Sequence, residues 1–536
     1  LNMGIEKKSP KRIHAAISYC LESFTSEGHC YCSEEDIVSK VKGTINLYDE
    51  DLILKSIQTA CHEGVIQKVE LKDKTVYAAN KIYYSEKWIA KKVYELKDHH
   101  SEVVDSTNWF YLYENSGNLE LSEEQRDSVD NILKSKFSIL TGGPGCGKTT
   151  TTKALVFHLK RIGAKVLLAA PTGRAAQRMS EVIGFEAQTI HRLLEFSPQE
   201  GGFKRNSENP LDADFIIIDE ASMLDVFLAS ALLKAVNLKS QLLFIGDPDQ
   251  LPSVGPGNVL KDLIEDKNVP AYKLTKIFRQ AESSSIISFA HKINEGKTPS
   301  IVSPLAYPRA FKDGVDCLFL DSDQATKEQM DLIKKLKKSI IQSESTYKNK
   351  EEFQSDLKSG KILDKINFTV PKKYESVDLK KLINSGSSNN YLKNLLKKVH
   401  PWSSLNYGKT ADEAIDYFYE KKIPELLGED CSIQILSPQK KGSLGTNNLN
   451  KRTQDLVNPH HKEKKEMKIG ENLFREGDRV IQTRNNYDLE VFNGDIGEIY
   501  LIENNQIIVD YGTKDNKNLV MYQREDALDL TLAYAI

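Results

Sequence analysis

The stretch FSILTGGPGCGKTTTTKALVFHL, from Phe137 to Leu159, decides the fold of this 536-residue chain. It contains an apolar run, closely spaced glycines, a lysine followed by four threonines, and then apolar residues at helical spacing. The segment Gly142–Thr149 fits G-x-x-x-x-G-K-[ST], a loop whose backbone N–H groups cradle phosphates at a helix N-terminus. The alternative is an ordinary glycine-rich turn. The apolar run before the loop and the helical segment after it favour a phosphate-binding loop, or P-loop.

The P-loop assignment predicts the ligand and the role of each loop residue. Lys148 would reach the β- and γ-phosphates of ATP, and Thr149 would hold Mg²⁺. A thiol beside a helix N-terminus has a lowered pKa, so we also expect Cys146 to be the most reactive cysteine. The residues expected to bind the nucleotide are Gly142, Gly143, Pro144, Gly145, Cys146, Gly147, Lys148, Thr149 and Thr150.

Short apolar runs alternate with helical segments between residues 121 and about 296. The runs are FSIL, KVLLAA, FIIID and QLLFIG, each bounded by turn residues. Runs of this length suit buried parallel strands, and the segments between them suit crossover helices. The pattern predicts an α/β nucleotide-binding core. Residues 195–213 lie between two of the runs and contain Gly201-Gly202, which could turn a small hairpin.

Three further motifs follow predicted strands and carry candidate catalytic residues. FIIIDEAS ends a strand with Asp219, a candidate Mg²⁺ ligand, and Glu220, which could polarise the attacking water. LLFIGDPDQLPSVGPG offers Gln250 to orient water near the γ-phosphate, and LTKIFRQ offers Arg279 as a γ-phosphate clamp. Taken singly, these are also ordinary helix caps or polar loop residues.

The N-terminal residues predict a small separate unit. Residues 11–27 have helical apolar spacing, Ser33 with Asp36 can cap a second helix, and residues 49–63 suit a third. VIQKVEL and TVYAA then flank a short turn, as in a hairpin. Three helices and a hairpin suggest a winged-helix unit, which could contact nucleic acid or serve only for packing.

Composition excludes several classes of protein. Hydrophobic residues make up 40% of the chain and charged residues 28%, and no apolar run approaches the roughly 18 residues of a membrane span. The first residues are polar and basic, unlike a signal peptide. The seven cysteines are scattered, and the spacing of those at 30, 32 and 61 is not a standard zinc pattern. We therefore expect reduced thiols and a cytosolic location.

The net charge of −3 does not by itself indicate nucleic acid, but the charge is unevenly distributed. Residues 327–398 contain 17 lysines against nine acidic residues. These lysines could follow a phosphate backbone or form a solvated helical face, for which DLIKKLKKSII has the amphipathic spacing. The chain opens at Leu1 and stops at LTLAYAI, so we expect it to be part of a longer protein.

The order of the motifs resembles one family. LSEEQ (121–125) precedes the P-loop; APTGRAA (170–176), QTIHRLL (188–194), FIIIDEAS, GDPDQLPSVGPGN and LTKIFRQ follow; ILSP (435–438) and TRNNYDLEVFNGDIGEI (483–499) come later. This series resembles superfamily 1 helicases of the B branch, and most closely the RecD-like 5′-to-3′ DNA helicases. The resemblance covers roughly residues 10–320 and 410–536.

The resemblance implies a fold and a division of the chain. The implied fold is an α/β P-loop NTPase with tandem RecA-like domains, an N-terminal winged-helix-like domain and an SH3-like β-barrel insertion. The implied domains are an N-terminal domain at 1–100, a first RecA-like domain at 101–300 with a small 1B hairpin near 195–213, and a second, incomplete one at 301–536. The last would include a lysine-rich insertion at 322–410, longer than expected for the family, and the SH3-like 2B barrel at 473–526.

The resemblance also implies roles for further residues. Gln125 would read the adenine. Other residues would follow the path of single-stranded DNA: Thr172, Arg174, His191, Ser437, Arg484, Asn485, Tyr487 and Asn493. The implied activity is an ATP-dependent DNA helicase that moves 5′ to 3′ on single strands in repair or recombination, acting on single strands and duplex junctions, with single-strand-binding or recombination proteins as unproven partners.

Two alternatives remain open from sequence. One is the RecD subunit of a recombination nuclease complex, and the other is a nucleotide-switched DNA-binding module that does not unwind. The family continues beyond LAYAI into motifs that include a second catalytic arginine. We therefore expect residues 1–536 alone to bind nucleotide but to hydrolyse it little.

Overall fold

The computed structural model forms two compact units, Leu1–Thr298 and Pro299–Ile536. The residues it describes are 6, 8–71, 74–99, 109–197, 201–278, 284–302, 309–310, 313–319, 335, 338–340, 342–359, 361–366, 368–369, 411–484, 486, 489, 491, 493–512 and 517–536. Among these residues, no helix is both long and apolar enough to cross a membrane.

The first unit contains twelve described helices of α type and ten strands. The helices are α1 (Pro10–Ser26), α2 (Glu34–Ile45), α3 (Glu50–His62), α4 (Asn80–Asp98), α5 (Trp109–Asn115), α6 (Glu123–Lys134), α7 (Lys148–Arg161), α8 (Gly173–Ile183), α9 (Ile190–Leu193), α10 (Val226–Ala235), α11 (Val259–Glu265) and α12 (Ser285–Asn294), with a 3₁₀ turn at Ala221–Met223. The strands are β1 (Ile66–Leu71), β2 (Lys74–Ala79), β3 (Phe137–Gly142), β4 (Val166–Ala170), β5 (Ala187–Thr189), β6 (Phe196–Ser197), β7 (Gly202–Phe203), β8 (Phe215–Ile218), β9 (Gln241–Gly246) and β10 (Ala271–Leu274).

The N-terminal elements confirm the predicted three helices and hairpin. The Ser33 hydroxyl accepts a hydrogen bond from the Asp36 N–H at 3.1 Å, and the Asp36 carboxylate accepts from the Ser33 N–H at 3.2 Å. This reciprocal capping box fixes the start of α2. Cys32 also pairs with Tyr77 of β2 as an isolated antiparallel bridge, so the chain before α2 joins the hairpin. The assignment of this unit as a winged helix stays a prediction.

The central sheet is parallel and carries the site. Its strand order is β10-β3-β9-β8-β4-β5, and every neighbouring pair runs parallel. All residues of β3, β8 and β9 are buried, which explains their unbroken apolar runs. Burying one such Ile or Phe side chain contributes about 1.5–3 kcal/mol. Because the strands are parallel, the loops after β3, β9 and β8 emerge side by side at one carboxyl edge.

Helices cover both faces of this sheet. On one face, α10 supplies Leu232 and Leu233 to a core with Phe244, while α4 of the N-terminal region adds Ile89 and Val93. On the other face, α5, α6, α7 and α8 pack against the opposite sides of the same strands. The predicted α/β core is therefore confirmed, with α4 as an additional covering helix.

The second unit combines short helices with a β-rich part. Its helices are α13 (Lys350–Ser359), α14 (Ile362–Lys365), α15 (Ala411–Tyr417), α16 (Ile423–Leu427) and α17 (Thr446–Val457), with a π-helical turn at Phe418–Lys422. Its strands are β11 (Glu466–Ile469), β12 (Asn472–Arg475), β13 (Arg479–Gln482), β14 (Ile496–Glu503), β15 (Gln506–Asp510), β16 (Leu519–Tyr522) and β17 (Leu530–Leu532). Most of the lysine-rich segment 322–410, including most of its predicted amphipathic helix, lies outside the described residues.

Five strands form the small sheet predicted at 473–526, in the order β16-β15-β14-β13-β17. One of its strands, β17 at Leu530–Leu532, lies beyond the predicted range and pairs antiparallel with β13, while the bounds of the barrel as a domain stay a prediction. Immediately after β17, Ala535 forms a parallel bridge with Ile435. The ILSP segment and the last residues of the chain therefore lie side by side.

Asp478 links the helical and β-rich parts of the second unit. Its carboxylate is fully buried and accepts hydrogen bonds from the side chains of Gln454, Asn458 and Tyr534 and from the Arg475 N–H, at 2.5 to 3.0 Å. Burial raises the pKa of Asp478, and these donors offset part of that effect. One side chain thus joins α17, the end of β12 and the last residues of the chain.

The substitution Asp478→Ala should lower the free energy of unfolding of the second unit by about 3 kcal/mol, because four buried donors lose their acceptor. Urea unfolding followed by circular dichroism measures the change. The control is Glu471→Ala, an exposed residue in the turn between β11 and β12, which should shift stability by less than about 0.5 kcal/mol. Equal shifts in the two variants would contradict the role given to Asp478.

Candidate nucleotide-binding site

Gly147 begins helix α7 from a backbone conformation that side chains rarely adopt. Its φ is 81°, and a Cβ atom there would lie 2.6 Å from Gln125 Nε2 and 2.8 Å from a ring carbon of Phe278. Position 147 therefore requires glycine for two reasons: its backbone is left-handed, and there is no space beside it for a side chain. This turn aims the first N–H groups of α7 into the loop that follows β3, as phosphate binding demands.

Gln125 holds the P-loop from the side. Its Oε1 accepts from the Ser122 N–H at 2.9 Å, which caps α6, and its Nε2 donates to the Gly147 carbonyl at 3.3 Å. The side chain is buried, with 1% of its surface exposed. Adenine recognition by Gln125 stays a prediction, and the structure adds a second role, since the same amide connects α6 to the loop.

Lys148 points back onto the loop that precedes it. Its ammonium group donates to the carbonyl oxygens of Gly142 and Gly143, the latter at 3.3 Å. Phosphate oxygens are stronger acceptors for an ammonium group than neutral carbonyls are. Thr149 and Gly145 are exposed beside it, so the loop is open to a ligand on this side.

The expectation that Cys146 is the most reactive thiol is wrong. Its side chain is buried, with 2% of its surface exposed, and lies in the core between α6 and α7. Burial raises the pKa of Cys146, although the Lys148 charge and the loop backbone act in the opposite direction. Desolvation outweighs the helix N-terminus here because the thiol points into the protein and not toward the ligand.

Asp219 and Glu220 lie at the end of β8, as the sequence predicts. The Asp219 carboxylate accepts from the Glu220 N–H at 2.8 Å, and Glu220 itself has a φ of 51°, a left-handed conformation for a non-glycine residue. Burial raises the pKa of Asp219. Burial, together with the adjacent Asp219 charge, also raises the pKa of Glu220, and Lys148 offsets part of both effects.

These groups suit a divalent cation bound together with phosphate. Two adjacent, partly desolvated carboxylates lie within the influence of the Lys148 and Arg178 charges, which oppose the rise in their pKa values. Among the described residues, no cluster of three or more His, Cys, Asp or Glu side chains could hold a metal ion on its own. Mg²⁺ usually takes one or two carboxylates and completes its shell with water and substrate phosphate. Asp219 and the exposed Thr149 hydroxyl are the groups that fit it.

The loop after β9 presents Gln250 near this edge. Asp247, the first polar residue after the strand, is 2% exposed, and its carboxylate accepts from the Asp249 N–H at 3.1 Å. The Gln250 N–H donates to the Asp247 carbonyl at 3.2 Å, and the Gln250 side chain is exposed. Asp247 was missed by the sequence reasoning, although its place at the end of a buried strand is the signal that identified Asp219.

The part of the LTKIFRQ motif that precedes the arginine is hydrogen-bonded to helix α6 and to the P-loop. The Glu124 carboxylate accepts from the N–H groups of Thr275 and Lys276 at 2.9 and 3.1 Å, and the Phe278 N–H donates to the Gly145 carbonyl at 3.4 Å. Arg279 lies outside the described residues, so its predicted role as a γ-phosphate clamp stays a prediction.

His291 of α12 contacts the P-loop and was also missed from sequence. Its Nε2 lies 3.2 Å from the Pro144 carbonyl oxygen, and because that oxygen can only accept, Nε2 must carry the proton. A Cβ atom on Gly143 would lie 2.6 Å from the His291 ring, so glycine at 143 is what allows the imidazole to approach. In the sequence, the only signal is a histidine on a helix shortly after LTKIFRQ.

Three predicted DNA-path residues lie in the first unit. Thr172 caps α8 by accepting from the Ala175 N–H at 3.3 Å, and Arg174, the second residue of that helix, is exposed. His191 packs against Phe196 and Phe203 of the β6–β7 hairpin, with ring centroids 6.0 and 5.7 Å away. The short hairpin near 195–213 is therefore present, and it packs on a predicted DNA contact.

Asp225 connects His191 with the loop that carries Gln250. Its carboxylate accepts from the Leu228 N–H at 2.7 Å and caps α10. Burial lowers the pKa of His191, and the negative charge of Asp225 partly offsets this effect. A Cβ atom on Gly255 would lie 2.1 Å from the Asp225 carboxylate, so the same side chain presses on the loop after β9.

The remaining predicted DNA contacts belong to the second unit. The Ser437 hydroxyl donates to the Leu444 carbonyl at 2.6 Å, and the Arg484 side chain is largely exposed, 3.9 Å from Asp529. Asn493 is exposed in the turn before β14. Asn485 and Tyr487 lie outside the described residues. The positions of these residues do not test whether they contact DNA, so their DNA-binding roles stay predictions.

The fold and the P-loop edge define the class of protein, a P-loop NTPase of the α/β type. An AAA domain family model matches residues 125–256, and a model described as an ATP-dependent RecD-like DNA helicase SH3 domain matches residues 449–511. The second model names RecD-like helicases, and the first covers the P-loop, Asp219, Glu220 and Gln250.

Curated relatives agree with both family models. The chain is 30% identical over 416 residues to the ATP-dependent RecD2 DNA helicase of Deinococcus radiodurans, covering 78% of this chain but 43% of that protein. It is 27% identical over 546 residues to the RecBCD enzyme subunit RecD of Buchnera aphidicola, covering 93% of this chain and 81% of that subunit. A solved structure of Bacteroides Pif1 bound to single-stranded DNA aligns with 78% of this chain and 83% of its own at 17% identity, with a TM-score of 0.30.

We predict that His291→Ala weakens nucleotide binding by about 2- to 10-fold, the value of one hydrogen bond of about 0.5–1.5 kcal/mol that holds the loop. Titration of a fluorescent ATP analogue measures the dissociation constant. Lys292→Ala, at an exposed position on the same helix, should leave binding unchanged. An unchanged dissociation constant in His291→Ala would show that the imidazole does not support the loop.

Proposed function

We propose that this chain is the motor part of an ATP-dependent DNA helicase that moves 5′ to 3′ on single-stranded DNA. One observation carries the proposal: the P-loop, the Asp219–Glu220 pair and the Gln250 loop emerge from adjacent parallel strands at one edge of the sheet. That edge belongs to a chain whose sequence is RecD-like over most of its length. The proposed cofactors are ATP and Mg²⁺, and the proposed setting is the bacterial cytosol, in repair or recombination.

In the proposed chemistry, the chain's own groups position and activate water. Lys148 would move from the loop carbonyls to the β- and γ-phosphates, and Thr149 and Asp219 would hold Mg²⁺, which neutralises charge on the phosphates when bound. Glu220 accepts a proton from water as the water oxygen bonds to the γ-phosphorus. The bond from the γ-phosphorus to the bridging oxygen breaks, and ADP leaves with the electron pair. Gln250 would orient the water, and Arg279 would balance the charge.

DNA enters the proposal through the contacts around Asp225. The Asp225 charge acts on His191, and the loop after β9 approaches the same carboxylate at Gly255. A strand bound near His191 could therefore change the position of the loop that senses the γ-phosphate. This local arrangement supports coupling between DNA binding and ATP hydrolysis, with single strands and duplex junctions as proposed substrates.

The related candidate is a subunit of a recombination nuclease complex. Similarity to RecD subunits over 93% of this chain favours it, and similarity to a stand-alone RecD2 protein favours the helicase. The two candidates share the motor and differ in partners. Co-purification of the protein from its natural source with or without large partner subunits separates them.

The central prediction for the P-loop is that Lys148→Ala abolishes binding or hydrolysis of Mg·ATP in the full-length protein, since the lysine is the cation that reaches the phosphates. Binding is measured by equilibrium titration and turnover by phosphate release. Lys160→Ala, at an exposed position on the same helix, is the matched control and should keep wild-type values. Wild-type turnover in Lys148→Ala would remove the P-loop assignment.

A separate substitution distinguishes binding from chemistry. Glu220→Gln should bind ATP with near-normal affinity but hydrolyse it at least about 100-fold more slowly, the scale expected for a lost general base. The same two assays measure both quantities. Loss of binding together with turnover would instead mean that Glu220 supports the structure of the site, given its left-handed backbone conformation.

A further inference from the structure

A groove along α4 and the end of α10 combines lysines with aromatic rings. It has a volume of about 570 Å³. Its lining contains four lysines and two aromatic residues but no acidic residue. The lining residues are Asn80, Lys81, Tyr84, Ser85, Lys87, Trp88, Lys91 and Lys234. A local charge of +4 in a chain of net charge −3 marks this groove as a site for an anion.

The aromatic rings and the lysines alternate along the groove. The ammonium groups of Lys91 and Lys234 lie 5.7 and 5.8 Å from the centre of the Trp88 ring, one from each of the two helices. Tyr84 lies one helical turn before Trp88 and has 58% of its surface exposed. Residues four apart on a helix are neighbours, about 5–6 Å between their Cβ atoms, so Tyr84 and Trp88 lie on the same side of α4.

The acidic residues near the groove do not neutralise it. Glu95 lies 3.7 Å from Lys91, and among the described residues this is the one ion pair formed by the four lysines. Glu86, on the same helix, bonds to the Cys30 thiol and does not line the groove. All four lysine side chains are exposed and can reach an incoming ligand.

The groove is separate from the nucleotide edge. Helix α10 starts next to Asp225 at the carboxyl end of the sheet, and Lys234 is its ninth residue. At 1.5 Å per residue, Lys234 lies about 12 Å along the helix from that start. None of the residues given a role in phosphate binding, hydrolysis or the predicted DNA path lines the groove.

We propose that this groove binds single-stranded nucleic acid, with phosphates held by Lys81, Lys87, Lys91 and Lys234 and bases stacked on Tyr84 and Trp88. Non-specific single-strand sites combine a positive groove that follows the backbone with aromatic side chains on which bases stack. An acidic protein segment could pair with the lysines, but it has no flat bases to stack on the two rings. The combination therefore favours a nucleic acid strand, and the groove gives the protein a second place to hold one.

Tryptophan fluorescence tests the stacking directly. The chain has three tryptophans; Trp109 is 1% exposed, and a Trp402→Phe background leaves Trp88 as the accessible one. Oligo(dT) should quench the emission of this background, and adding Trp88→Phe should remove the quenching. Photo-cross-linking of a 5-iodouracil oligonucleotide to Tyr84 or Trp88, located by mass spectrometry, tests the same contact without any substitution.

Matched charge reversals test the lysines. The double variant Lys87→Glu, Lys91→Glu should bind oligo(dT) at least tenfold more weakly, as measured by the quenching of Trp88 emission. The slope of log K against log salt should fall by about 1.4, because each lost phosphate contact reduces it by about 0.7. Lys11→Glu with Lys55→Glu, exposed positions on α1 and α3 outside the groove, should change affinity less than twofold. Lys148→Ala should leave the quenching unchanged, because the groove acts independently of the proposed ATP site.

Three results would overturn the proposal. One is oligo(dT) binding that leaves Trp88 emission and cross-linking unaffected. Another is equal weakening by the groove reversals and the control reversals, which would indicate a general charge effect. The third is competition by polyglutamate as effective as that by oligo(dT), which would assign the groove to an acidic protein partner.

Discussion

The left-handed turn at Gly147 is the constraint on which the rest of the site depends. It lets α7 begin immediately after the loop that leaves β3, and it leaves room for Gln125 and Phe278 on either side. Gln125, at the capped start of α6, donates a hydrogen bond to the Gly147 carbonyl. Phe278, just before Arg279, donates its N–H to the Gly145 carbonyl. His291 bonds to the Pro144 carbonyl earlier in the same loop. A side chain at position 147 would disturb all of these contacts together.

The electrostatics of the site follow from the burial of its carboxyl groups. Burial raises the pKa values of Asp219 and Glu220, and the charges of Lys148 and Arg178 act in the opposite direction. A cation bound beside Asp219 would favour the charged form of that carboxyl, and the raised pKa of Glu220 suits its proposed role as a general base. The same desolvation acts on Cys146, where it raises the pKa of the thiol, because that side chain is buried in the core.

The sequence predicted the parts of this structure that rest on local patterns. Strand ends after buried runs placed Asp219, Glu220 and Gln250 at one edge, and capping chemistry placed the starts of α2 and α6. It could not predict the long-range contacts of Glu124, Asp225 or His291, whose partners are 30 to 152 residues away in the chain and meet them only after folding. It also misjudged Cys146, since a position beside a helix N-terminus does not reveal which way the side chain points. The pairing of Leu530–Leu532 with β13 could not be predicted for a related reason, because β13 lies far back in the chain.

The central claim is that one site on this chain binds Mg·ATP and that its loops respond to DNA. The most direct measurement is an equilibrium titration of a fluorescent ATP analogue with Mg²⁺, with and without saturating oligo(dT). The account predicts saturable binding whose dissociation constant changes by at least about fivefold with DNA, a coupling of about 1 kcal/mol that must be equal in both directions. Absence of nucleotide binding, or titrations that coincide with and without DNA, would contradict it.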